Sequence, residues 1–93
     1  NVENASYGGT ICAERSAIVA AVSEYSNQCE FEFAVIISDL PDGPIPPCGM
    51  CLQVFKEFVN EDFKIYLGNE KEIQSQHLFK DFLPYSFSSE QLP

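Results

Sequence analysis

Four residues in two short segments have the types and spacing that chemistry needs: Cys12 with Glu14 two places on, and Cys48 with Cys51 three places on. Cysteine thiolates are soft ligands that suit zinc, and Cys-x-x-Cys is a common way to bring two of them to one ion. At positions i and i+3 of a helix, both side chains rise from the same face. Both segments fall where helices are expected to start. There, unpaired N–H groups and the helix dipole favour a thiolate over a thiol. Two such starts at neighbouring ends of parallel strands would gather three sulfurs at one point. Three thiolates leave a fourth coordination position for water, as in a catalytic zinc site, whereas a structural site closes with a fourth protein ligand. Glu14, beside that position, has the chemistry of a proton shuttle. Three thiolates and Zn²⁺ leave one net negative charge, which the helix dipoles and Arg15 are expected to offset from behind the ligands.

The remaining candidates read more plainly. Cys29 follows Ser26-Asn27-Gln28 in a helix-to-strand connection, at the far end of the layer from both helix starts. It is expected to be a partly buried thiol and not a fourth ligand. Four cysteines permit two disulfides in three pairings, but the close spacing of Cys48 and Cys51 favours metal or redox chemistry and a reducing compartment. Taken alone, Glu14 would be a solvated helix residue, and Asn1 and Glu3 polar residues of an edge strand. His77 is the one histidine and has no acidic or cysteine neighbour in sequence, which suits a surface or capping residue. Phe79, Phe82 and Tyr85 read as core or interface packing, and Glu70-Lys71-Glu72 as a solvated turn.

The elements that must position these residues follow from the apolar pattern. Asn1 to Asn4 reads as the end of a strand, with Asn1 and Glu3 on one face and Val2 on the other. Gly8-Gly9 breaks it, Thr10 is the expected N-cap, and a helix runs from about Ile11 to Glu24 with Ala17, Ile18, Ala21 and Val22 as its core face. Phe31 to Ser38 reads as a buried strand and Asp39 to Pro47 as a loop. A second helix runs from Cys48 to about Phe58, with Val54, Phe55 and Phe58 as its stripe. Phe63 to Leu67 is a strand, Gly68-Asn69 a turn, and Glu72 to Gln76 a returning antiparallel strand. Leu78 to Leu83 forms a short helix that Pro84 stops. This order gives one two- or three-layer α/β domain with right-handed crossovers.

Composition narrows the class. The chain has 93 residues, enough for one small domain. Hydrophobic residues make up 45% of it, which suits a packed core and not a disordered chain. Lys plus Arg number 5 against 14 Asp plus Glu, a formal net charge of −9 that would repel DNA or RNA. A nucleic-acid-like ligand should therefore be small and uncharged, such as a free nucleoside. No run approaches the roughly 18 apolar residues of a membrane span. The chain opens on Asn1 with no initiator Met, so the true N-terminus is expected upstream.

Taken together, Cys12-Ala13-Glu14 and Pro47-Cys48-Gly49-Met50-Cys51 fit the established pattern of the zinc nucleoside and nucleobase deaminases: His or Cys, any residue, Glu, then Pro-Cys-x-x-Cys. The sequence resembles the small homotetrameric cytidine deaminases along most of its length, through Asn1 to Ile18 (NVENASYGGTICAERSAI), Pro46 to Phe58 (PPCGMCLQVFKEF) and Leu83 to Leu92 (LPYSFSSEQL). The resemblance implies a cytidine deaminase-like α/β fold, a layered sheet with helices packed on it and two zinc-bearing helix N-termini. Residues 1–93 would be the catalytic domain, without the family's preceding N-terminal helix and strand hairpin. It implies Zn²⁺ held by Cys12, Cys48 and Cys51, catalysis by Glu14, and a cytoplasmic homotetramer in pyrimidine salvage that converts cytidine or deoxycytidine to the uridine product. It further implies that Asn1 and Glu3 hold the ribose 3′-hydroxyl and that the Ala13 backbone bonds the pyrimidine ring. Tyr7 and Phe87 would line pockets near subunit boundaries. Leu52 departs from the pattern, since many family members carry Arg there. Two rivals stay open at this level: a deaminase of another aminopyrimidine nucleoside, such as a nucleoside antibiotic, and a non-catalytic structural zinc or redox module. Deaminases of deoxycytidylate or of transfer-RNA adenosine fit less well, because they place His where Cys12 stands and need basic residues for phosphates.

Overall fold

The computed structural model describes residues 1–93, the side chain of Asn27 apart. The chain divides into two compact units, Asn1–Glu30 and Phe31–Pro93.

In the first unit the chain leaves Asn1, makes a 3-10 turn at Tyr7–Gly9 and enters helix α1 at Ala13–Tyr25. The strand expected over Asn1 to Asn4 is reduced to a single antiparallel bridge, in which Val2 and Ile11 exchange N–H···O bonds of 2.7 and 2.9 Å. That bridge also moves the helix start. Ile11 is held extended by Val2, so the cap falls on Cys12 and not on Thr10. Ile18 is the buried centre of α1, with Ala21 and Val22 half-buried at i+3 and i+4, as helical periodicity requires. Ala17, expected on that face, is exposed. The helix ends at Ser26, whose φ of 53° lies in the left-handed region and breaks the helical path.

The second unit is built on a three-stranded sheet in the order β1-β2-β3, with β1 at Phe33–Ile37, β2 at Lys64–Gly68 and β3 at Ile73–Leu78. Strands β1 and β2 are parallel, and parallel neighbours need a long crossover. Helix α2, Gly49–Lys56, lies within that connection. Strands β2 and β3 are antiparallel and joined by a tight turn, in which Asn69 Oδ1 accepts the N–H groups of Lys71 and Glu72 at 2.8 and 3.0 Å. A register shift falls between Leu67 and Gly68. A Cβ at Gly68 would collide with the Glu72 carbonyl oxygen, so this close approach requires glycine.

The core of this unit comprises Cys51, Leu52 and Phe55 of α2, Phe63, Ile65 and Leu67 of the β2 segment, and Phe79. The Phe55 and Phe63 rings meet edge to face at 6.3 Å. Register places Ala34 and Ile36 on the face of Ile65 and Leu67. Phe33, Val35 and Ile37 point to the opposite face and are exposed, so β1 is half-buried on one side only, contrary to the expectation of a buried strand. Helix α2 stops two residues short of Phe58, where Glu57 and Phe58 donate to carbonyls three residues back; Phe58 is exposed and meets Phe31 edge to face. Helix α3, Phe79–Phe82, starts with Asp81 Oδ2 accepting the Leu78 N–H at 2.9 Å. His77 packs on the Phe82 ring at 4.8 Å and pairs with Ser75 Oγ at 2.9 Å.

Candidate metal centre

The two cysteine segments enter their helices in the same way. Cys12 is the N-cap of α1 (φ −68°, ψ 155°) and Cys48 the N-cap of α2 (φ −73°, ψ 164°), and both are extended. Neither sulfur makes the side-chain cap bond that Ser or Asp would make there. Their carbonyls do open the helical ladder, accepting the N–H groups of Ser16 at 3.1 Å and Leu52 at 3.0 Å. Each of these two cysteines therefore stands at the mouth of a helix.

Cys51 lies one turn into α2 and is fully buried, while Cys48 is exposed. Their sulfurs are 3.4 Å apart. With Cys12 they form a group that can hold a metal ion, all three Sγ atoms lying within 4.8 Å of one another. A tetrahedral ion about 2.3 Å from each thiolate separates its sulfurs by about 3.8 Å, so this donor set fits zinc. Cys29, half-buried in the connection after α1, is not in the group.

Residues 1–67, which contain all three of these cysteines, match the cytidine and deoxycytidylate deaminase zinc-binding region. The chain belongs to this deaminase family. It is 39% identical over 92 residues to a cytidine deaminase of Halalkalibacterium halodurans, covering 99% of this chain and 67% of that protein. It is also 39% identical to a cytidine deaminase of Sporosarcina psychrophila, of which it covers 65%, and 44% identical to a probable cytidine deaminase of Dictyostelium discoideum, of which it covers 60%. The chain thus spans about 60 to 67% of the length of these curated relatives. The crystal structure of a cytidine deaminase from Burkholderia pseudomallei superposes with a TM-score of 0.71 at 33% identity, over 94% of this chain and 68% of that one. The mixed α/β architecture is thus that of the deaminase family, and its zinc-binding region carries the Cys12, Cys48 and Cys51 group.

The other residues singled out in this deaminase sequence are placed as follows. Glu14 is the second residue of α1 and half-buried. Asn1 and Glu3 are exposed. The Ala13 N–H donates to Asn1 Oδ1 at 2.6 Å, so the backbone group expected to face the pyrimidine is held by the residue expected to face the ribose. Arg15 Nη2 donates to the Thr10 carbonyl at 3.2 Å, tying α1 back to the segment that leads into it. Tyr7 is 90% exposed and Phe87 54% exposed. The Phe87 carbonyl accepts from Gln53 Nε2 of α2 at 2.9 Å, which anchors the C-terminal segment to the helix bearing two of the sulfurs. Neither the Asn1–Ala13 bond nor the Gln53 anchor is legible in the sequence.

Proposed function

We propose that this chain carries the catalytic core of a cytidine deaminase that hydrolyses cytidine or deoxycytidine to uridine or deoxyuridine and ammonia. The observation that carries this reading is the group of three cysteine sulfurs with Glu14 two residues beyond Cys12, at a helix start, within the matched zinc-binding region.

Zinc held by Cys12, Cys48 and Cys51 supplies Lewis acidity, which makes a nucleophilic water available near neutral pH. Glu14 takes the proton of the attacking water and delivers it to N3 of the cytosine ring, leaving C4 open to addition. After the C4–O bond forms, Glu14 carries the remaining proton of the new C4 hydroxyl to the exocyclic amine; the C4–N bond breaks, C4=O forms and ammonia departs. Glu14 suits this task because its position in the first turn of α1 fixes its backbone close to Cys12. Asn1 and Glu3 bind the ribose hydroxyl, and the Ala13 backbone, held by Asn1, meets the ring edge. Arg15 offsets the excess negative charge of three thiolates.

Tyr7 and Phe87 complete the pocket across subunit boundaries in a homotetramer, a reading supported by the large exposure of both rings. Thiolate ligation needs reduced cysteines, which favours the cytoplasm and a role in pyrimidine salvage. The formal charge of −9 favours an uncharged nucleoside over a phosphorylated one. Among the described residues no helix is long and apolar enough to cross a membrane.

Zinc content and ammonia release, measured together on cytidine, deoxycytidine, deoxycytidylate and other aminopyrimidine nucleosides, test the proposal. The expected result is one zinc per chain with turnover of the two free nucleosides and little of the nucleotide. Stoichiometric zinc with no turnover of cytidine would contradict it and return the chain to a structural role.

A further inference from the structure

Cys48 and Cys51 share a helix and a metal site but not an environment. Cys48, the N-cap of α2, is exposed, whereas Cys51, one turn on, is completely buried. No disulfide joins them, and their sulfurs lie 3.4 Å apart. Both belong to the second unit, so one helical turn sets their separation. A disulfide holds its sulfurs at about 2.05 Å, so this pair stands about 1.4 Å from bonding distance. Dithiol oxidoreductases form and break a disulfide at this same Cys-x-x-Cys spacing. An accessible cysteine with a second thiol beside it is the usual arrangement of a redox-responsive site. Cys29, half-buried, lies outside the sulfur group and provides an internal control.

We propose that Cys48 is a reversible oxidation site and Cys51 its resolving partner, so that a hydroperoxide converts the pair to a disulfide and empties the zinc site. The Cys48 thiolate attacks one oxygen of hydrogen peroxide; the O–O bond breaks, leaving Cys48 as the sulfenic acid and releasing hydroxide. The Cys51 thiolate then attacks the Cys48 sulfur, the S–O bond breaks and a second hydroxide departs. The two sulfurs together lose two electrons, and the peroxide gains them. Two of the three zinc ligands are thereby consumed, and Cys12 remains as the sole thiolate of the set. A dithiol reductant attacks the disulfide, returns the two electrons and restores both ligands. The loss of turnover that follows zinc release rests on the deaminase reading; the disulfide and the zinc release do not.

The test treats the zinc-loaded chain with graded hydrogen peroxide. A chromophoric chelator reads released zinc. Differential alkylation after denaturation, with tandem mass spectrometry, assigns the cysteines that were reversibly oxidised, and ammonia release from cytidine is followed in parallel. Zinc release should track oxidation of Cys48 and Cys51 together, at about one zinc per disulfide. Zinc affinity of the oxidised chain should fall by more than about 100-fold, the upper end for loss of a group that merely orients a ligand. Dithiothreitol should restore it, and Cys29→Ser should respond as the parent does. The proposal is overturned if zinc stays bound at peroxide concentrations that oxidise Cys29. It is equally overturned if the disulfide joins Cys12 or Cys29, or if zinc leaves only with irreversible oxidation of Cys48 that dithiothreitol does not reverse. Absence of deamination in the parent, with the disulfide and zinc release as expected, would remove the functional reading and leave the oxidation site in place.

Discussion

Replacing Glu14 with Gln separates proton transfer from everything else the residue does. Glu14 is the second residue of α1, half-buried and outside the three-sulfur group. Gln has nearly the same shape and helix propensity, so packing is preserved. What the folded state loses is the attraction of a carboxylate to the helix N-terminus, about 0.3 to 1 kcal/mol. For a domain of this size that lowers the melting temperature by at most about 8 °C. Catalysis loses far more. A positioned acid–base group contributes about 10²- to 10⁴-fold, equivalent to roughly 3 to 5 kcal/mol of barrier, and Glu14 is asked to move two protons in each turnover. The expected variant holds one zinc per chain, melts within a few degrees of the parent and releases ammonia at least about a thousandfold more slowly. Zinc content, thermal unfolding and single-turnover ammonia release on one preparation provide the three readings. Turnover above a tenth of the parent's would show that the carboxylate does not carry the proton. Loss of zinc would show that Glu14 is itself a ligand.

Cys29→Ser should leave zinc at one per chain and change turnover by less than about twofold, since Cys29 lies outside the sulfur group; metal analysis of the variant checks this. Phe79→Ala, at a side chain only 2% exposed, should cost about 3 to 5 kcal/mol of unfolding free energy in a denaturant titration. Ile65→Val, at an equally buried centre of β2, should cost only about 0.5 to 1.5 kcal/mol in the same titration. Gly68→Ala should destabilise by about 1 to 3 kcal/mol, because the new methyl meets the Glu72 backbone oxygen, which has no rotamer with which to yield.

What was legible in the sequence was whatever local pattern determines. The Cys-x-x-Cys at a helix start, Glu14 two residues beyond Cys12, two helices (expected over about 11–24 and 48–58, observed at 13–25 and 49–56) and the three strands of the sheet follow from side-chain period and prolines. The misses came where tertiary contacts overrule local preference. Thr10 looks like a cap, but Val2 holds Ile11 extended and delays the helix to Cys12. Phe31 to Ser38 looks uniformly buried because apolar residues fill both faces, yet only the Ala34 and Ile36 side of β1 is half-buried and the other is exposed. Ala17 has the right residue type for a core face and points outward, because alanine carries too little apolar area to determine a helix's rotation. The Asn1–Ala13 bond and the Gln53 anchor on the Phe87 carbonyl span twelve and thirty-four residues, and no local rule reaches that far.

X-ray absorption at the zinc edge reads the immediate environment of the metal ion directly. Three sulfur scatterers at about 2.3 Å and one oxygen or nitrogen at about 2.0 Å are expected, with the light scatterer exchangeable. Four sulfurs, which would recruit Cys29 and close the position needed for water, or fewer than three, which would dissolve the Cys12, Cys48 and Cys51 group, would contradict this ligation.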